Sequence, residues 1–155
     1  MTAFSSRRRV AFTPRQMYDL VADVERYPEF VPLCETLTIL SRDAAPKPET
    51  LTASMTFGYA GIREVIKSRV TLLPDAPEVR VSYIDGPFKY LENTWKFHER
   101  PGGCEVDFHI AYELKSLMLQ MLVGAIFDQT FRKFSEAFEA RARKVYGTQR
   151  EPLTT

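Results

Sequence analysis

Apolar and polar positions alternate through the middle of this chain, and the alternation marks strands. Leu51, Ala53, Met55 and Phe57 share one face of a stretch from Thr50 to Tyr59. Ala60-Gly61 turns that stretch into another from Ile62 to Leu73. There Ile62, Glu64, Ile66, Ser68, Val70 and Leu72 share a face, so Glu64 and Ser68 interrupt an apolar stripe. Further strands are predicted over Cys34–Ser41, Val79–Ile84, Phe88–His98 and Cys104–Tyr112, the last two joined at Pro101-Gly102-Gly103. Leu91, Trp95 and Phe97 line one face of the fifth of these, with Asn93 breaking the run. Cys104, Val106, Phe108, Ile110 and Tyr112 line one face of the sixth. An opening strand over Ser5–Phe12 brings the count to seven.

The period changes to helical at two places. Thr13 followed by Pro14 reads as an N-cap with proline at the first helical position, and Met17, Leu20, Val21 and Val24 recur at helical spacing. This predicts a helix from Pro14 to about Ala22, then a short helical segment over Val24–Phe30 stopped near Pro32. The chain closes with a predicted helix of about 30 residues, Leu117–Tyr146, with Gly147 just past its end. Such a helix is about 45 Å long and can cross a whole sheet. Its two halves differ. Leu117–Phe127 is LMLQMLVGAIF, apolar on nearly every side, whereas the turns beyond Phe127 keep a polar outer face. The surplus apolar surface needs a neighbouring segment, a partner or a membrane surface to cover it.

Composition narrows the function classes. The 155 residues suit one domain, expected over 1–147, with 148–155 as a tail. Lys and Arg number 21 against 20 Asp and Glu, so no global field draws the chain to nucleic acid. Arg7, Arg8 and Arg9 are a local exception, readable as a contact for anionic lipid or RNA or as a solvated edge. Cys34 and Cys104 stand 70 positions apart without a CxxC, so no zinc ligand set is present. They are read as reduced, buried small hydrophobes, with a disulfide left open. The N-terminal segment has no apolar core of a secretory signal, and no run of about 18 apolar residues exists, so a cytoplasmic protein is expected. GxSxG, HExxH and Gly-rich phosphate loops are absent, and His98 and His109 lie outside any nucleophile motif.

Several segments carry a family resemblance. Tyr27-Pro28-Glu29-Phe30-Val31-Pro32-Leu33-Cys34 resembles the YPxFVPxC segment of coenzyme Q-binding proteins. Ser68-Arg69-Val70, Gly86-Pro87-Phe88-Lys89-Tyr90-Leu91, Trp95-Lys96-Phe97 and Ala137–Ala142 are similar to the same branch, in order, from about Arg9 to Gly147. The chain is thus similar to the coenzyme Q-binding and ribosome association toxin branch of the START-like, polyketide cyclase-like superfamily. The resemblance implies an α+β helix-grip fold: a curved seven-stranded antiparallel sheet around a long C-terminal helix, with two short helices after strand 1. It implies a hydrophobic cavity for a ubiquinone-like polyprenyl quinone or similar hydrophobic small molecule. It also implies a non-enzymatic carrier supporting respiration, cytoplasmic and peripheral to the inner membrane. A ribosome-associating toxin acting on the large subunit, and a polyketide cyclase-like enzyme, are the alternatives.

On that reading the cavity is lined by Phe30, Leu33, Met55, Phe57, Leu91, Trp95, Phe97, Phe108 and Ile110, with Met121 and Phe131 from the helix. Ordinary core packing is the competing account of the same positions. Glu64, Ser68 and Asn93 are candidate polar anchors for ring oxygens; a solvated Glu64 and a backbone-bonded Asn93 are the alternatives. Leu117, Met118, Leu122 and Ile126 are expected at the lipid passage, in transient contact with a membrane surface. No catalytic residue and no metal ligand is nominated.

Overall fold

The computed structural model describes residues 2–147, so the tail expected over 148–155 lies outside the described residues. Seven strands occur as expected: β1 (Thr2–Val10), β2 (Cys34–Asp43), β3 (Glu49–Tyr59), β4 (Ile62–Leu73), β5 (Glu78–Asp85), β6 (Phe88–Arg100) and β7 (Gly103–Leu114). They form one antiparallel sheet in the order β1-β7-β6-β5-β4-β3-β2. The opening strand starts and ends earlier than the pattern suggests, and Phe12 lies beyond it, buried in the loop to the first helix. Register shifts in β2, β4 and β6 bend the sheet so that one face is concave.

Local chemistry explains the connections. Tyr59 pairs with Ile62 across Ala60-Gly61, whose φ angles of 50° and 84° make the tight turn that suits twisted strands. Arg100 pairs with Gly103 across Pro101-Gly102. A Cβ on Gly103 would sit 1.9 Å from the Val10 carbonyl oxygen, so only glycine lets β7 start against the end of β1. Helix α1 (Pro14–Ala22) begins with a full capping box. Thr13 accepts from the Gln16 amide, and the Gln16 side chain accepts from the Thr13 amide. Its buried face, Met17, Tyr18 and Val21, packs on β5–β7 and on the C-terminal helix. A 3₁₀ helix, Val24–Glu29, follows and packs on β2.

The long C-terminal helix is present in two segments, α2 (Leu117–Arg132) and α3 (Phe134–Tyr146). Lys133 interrupts them, with φ −97° and ψ −2°, and its amide reaches back three residues to the Thr130 carbonyl. That tightened turn lets Phe131 and Phe134 both point inward, where their rings meet edge to face at 5.4 Å. Gly147, at φ 81°, closes α3, its amide N–H donating a hydrogen bond to the Arg143 carbonyl. The concave face of the sheet and the inner faces of α1, α2 and α3 together enclose the core. None of the helices among the described residues is long and apolar enough to cross a membrane.

Candidate functional site

An apolar cavity lies between the concave sheet and the helices. Its sheet wall includes Met55 and Phe57 on β3, Ser68 on β4, Leu91, Asn93 and Trp95 on β6 and Ile110 on β7. Phe131 closes it from α2, joined by Phe134 and Phe138 from α3 and by Val24 and Tyr27 from the 3₁₀ helix. Eight of the residues expected in the lining meet here: Met55, Phe57, Ser68, Leu91, Asn93, Trp95 and Ile110 from strand faces, and Phe131 from the helix. The remaining sheet lining, among it Leu37, Ala53, Ile66 and Val70, shares the same faces and could have been found by the same rule. Tyr27 and Phe138 could not, because their place depends on how the 3₁₀ helix and α3 dock. The free volume is about 70 Å³, whereas sites for drug-sized ligands have about 300–1,000 Å³. The cavity is therefore narrow as it stands, and a larger occupant has to push its walls apart.

Other candidates lie elsewhere. Phe97 stacks on Trp95 at 6.4 Å and meets the edge of Tyr18, so it fills the space under α1 and not the cavity. Phe108 is fully buried behind Trp95, between Phe4 and Phe134. Both are core, as alternation alone allowed, because the helices close down on that end of the sheet. Phe30 lies outside, half-buried against Phe138 with the Arg141 guanidinium 4.9 Å above its ring. It lines an outer groove with Asp19, Asp23 and Arg26. Leu33 and Glu64 line a small cleft between the β3–β4 turn and α2, with Ile62, Val123 and Ile126. Phe57 borders both that cleft and the cavity. Met121, expected in the lining, is 79% exposed. It lies two residues from buried Val123, on the opposite side of the helix. Leu117, Met118 and Leu122 are exposed on that outer side, and Ile126 is half-buried beside the cleft.

The cavity's polar groups are few and mostly committed. The Tyr27 hydroxyl donates to the Val21 carbonyl, and burial pushes its pKa well above the ordinary phenol range. Asn93 does both things weighed for it. It lines the cavity, and its Nδ2 donates to the His109 carbonyl at 2.8 Å while its Oδ1 accepts from Trp95 Nε1 at 3.1 Å. Ser68 is buried on β4 and brings a hydroxyl to the wall. Both histidines belong to the outer face of the sheet: His109 Nδ1 meets Ser5 Oγ at 2.7 Å, and His98 lies 3.7 Å from Asp107. The arrangement can enclose an apolar body and offer a polar substituent a hydrogen bond. Within the lining no acid stands beside a base.

Comparison with known proteins agrees with this architecture. A coenzyme Q-binding protein, COQ10 homolog B, mitochondrial, from Xenopus laevis is 34% identical over 97% of this chain, which spans 62% of that protein's length. The ribosome association toxin RatA of Vibrio cholerae is 34% identical over 95% of this chain and 99% of its own. The crystal structure of the ZhuI aromatase/cyclase from Streptomyces sp. R1128 superposes with a TM-score of 0.80 over 93% of this chain and 95% of that one. At 14% identity it shares the fold alone. The profile of the family described as polyketide cyclase / dehydrase and lipid transport matches residues 10–139. With its curved sheet, gripped C-terminal helices and apolar cavity, this chain belongs to the polyketide cyclase / dehydrase and lipid transport family.

Proposed function

We propose that this chain binds a polyprenyl quinone of the ubiquinone type, or a lipid of similar shape, in the cavity between sheet and helices, as a non-enzymatic carrier. The observation that carries the reading is the lining: largely apolar walls, with Ser68 and Asn93 as hydrogen-bonding side chains on the sheet floor and the Tyr27 hydroxyl turned to the Val21 carbonyl. The name of the Xenopus relative supports coenzyme Q as the ligand class. An isoprenoid tail contributes affinity at about 25 cal/mol per Å² of apolar surface buried. Because Ser68, Asn93 and Tyr27 supply no acid–base pair, the reading is one of binding and not of turnover. Half-buried Leu37 and Met55 and the lightly anchored α2 are the walls that yield to a ring. On this reading the outer side of α2, with Leu117, Met118, Met121 and Leu122 exposed, meets a membrane surface, and the carrier is peripheral to the inner membrane.

Trp95 is the natural reporter, since it is 2% exposed, lines the cavity and meets Phe108 and Phe138 within 5 Å. A saturating short-chain ubiquinone is expected to quench its fluorescence and raise the melting temperature. If both stay unchanged, the reading is wrong.

A second reading has support of its own. On the outer face, Lys67 and Arg69 stand among Thr52, Ser54 and Ser82 of the neighbouring strands, beside Arg80, which is paired with Glu78. Such a surface of cations and hydroxyls suits phosphodiesters, and the match to the Vibrio toxin is nearly end to end. Salt-sensitive co-sedimentation with large ribosomal subunits, lost in Lys67→Glu/Arg69→Glu, is the expected result if this face docks RNA. Co-sedimentation unaffected by that variant would exclude it.

A further inference from the structure

The Asn93 amide has a fixed orientation. The oxygen and nitrogen of an asparagine side chain are assigned from their hydrogen-bond partners. Here both ends are assigned by partners that cannot change role. The indole N–H of Trp95 can only donate, so it holds Oδ1. The His109 carbonyl can only accept, so it holds one N–H of Nδ2. Among the described residues, the second N–H of that nitrogen has no partner. The side chain is 8% exposed and lines the cavity. A buried donor that cannot turn into an acceptor is therefore offered to whatever enters.

Its surroundings sharpen the consequence. Val81 on β5 and Ile110 on β7 pair with Asn93 on either side, and Leu91 lies two residues along the same strand face. All three are apolar and line the cavity. Ser68 stands two strands away, on the neighbouring row of the sheet floor. Its hydroxyl rotates to donate or accept, so it does not discriminate.

We propose that the cavity selects the oxidised, carbonyl form of a quinone over the reduced, hydroxyl form, with Asn93 as the specificity-determining residue and Trp95 as the residue that positions it. The inference rests on the quinone reading above. A quinone oxygen is a pure acceptor and takes the free N–H directly. A quinol oxygen in the same place also carries a proton; the neighbouring Val81, Ile110 and Leu91 accept nothing, and the amide's own acceptor, Oδ1, is already engaged by the Trp95 N–H. An unsatisfied buried donor weakens binding by about tenfold. The selectivity gives a carrier a preference: it takes up the oxidised ligand ahead of the reduced one.

The test is calorimetric titration of the wild-type protein with ubiquinone bearing one isoprene unit and, under anaerobic conditions, with the corresponding quinol. The oxidised form is expected to bind about tenfold more tightly. Asn93→Leu keeps the branched shape and removes the donor, and should bring the ratio close to one. It also leaves the Trp95 N–H unpaired in the core. Trp95→Phe therefore serves as the second variant: it keeps an aromatic ring and the Asn93 donor but removes one of the two bonds that fix the amide and releases Oδ1 as an acceptor, and it should lower the ratio as well. Ser68→Ala should weaken both forms alike and leave the ratio intact, a pattern that general loosening of the cavity would not reproduce. Equal affinity of wild type for both forms overturns this inference and leaves the quinone reading standing. Selectivity that persists in folded Asn93→Leu overturns the role of Asn93. No binding of either form overturns both.

Discussion

Cys34 and Cys104 show how position sets the chemistry of a residue. Both are free thiols within the core, 6% and 0% exposed, and burial pushes each up to about 11 from an ordinary value of 9.0. The disulfide left open by the sequence is not formed, and both side chains act as small hydrophobes. The sign of the pH effect follows. The folded state holds the thiol proton more tightly than the unfolded chain does. The contribution to stability is complete below about pH 9 and is lost as the pH rises toward 11. The urea midpoint is expected to fall across that interval, and Cys104→Ala should make the fall shallower whatever it costs at neutral pH. A slope the same as wild type would mean that the thiol ionises alike in both states. Neither cysteine should react appreciably with thiol reagents at pH 7 while the fold is intact.

At the scale of elements, the pattern along the chain revealed some features and hid others for physical reasons. Strand alternation has a period of two, so a face is legible wherever apolar residues recur, and β4 matches its predicted bounds residue for residue. Alternation gives a face but not a depth along it, which is why Phe97 and Phe108 were grouped with the cavity although the helices seal that end. The capping box at Thr13 is a purely local device, and α1 was legible from it. The interruption at Lys133 was not, since lysine is a good helix former and no glycine or proline stands there; the docking of Phe131 and Phe134 imposes it. Met121 was misplaced because the helical phase is set by Val123, Phe127 and Phe131, not by the hydrophobicity of the run. That phase leaves the outer side of α2 apolar without an internal partner, and its consequence can be measured. Met118→Glu and Leu122→Glu change exposed positions, so stability should move by no more than about 0.5 kcal/mol. Transfer of quinone from liposomes should slow several-fold in both variants. Unchanged transfer in the folded proteins would assign this surface to packing against another protein.

For the whole molecule, an open sheet raises a difficulty that closed barrels avoid. The strand order leaves β1 and β2 at the two margins, and β1 is nine residues long. Along it Arg7 and Arg9 point outward. Arg7 lies within 4.0 Å of Glu105 and Asp107 on β7, and Arg9 donates to the Pro101 carbonyl. Arg8 takes the other face and ties β1 to Glu139 of α3. The basic run that the sequence left between partner contact and solvated edge is a structural part of the sheet margin. The row of unpaired amides and carbonyls on such a margin would template the addition of another chain, and charged side chains are a usual deterrent. Two molecules brought margin to margin would oppose arginine clusters across about 5 Å. Arg7→Val/Arg9→Val should therefore melt close to the wild-type temperature and yet aggregate on concentration, seen as rising light scattering and thioflavin binding. A clear solution at the same concentration would show that the margin is guarded by something else. These arginines add little to the free energy of the single folded chain; what they protect is its solitude in a crowded solution.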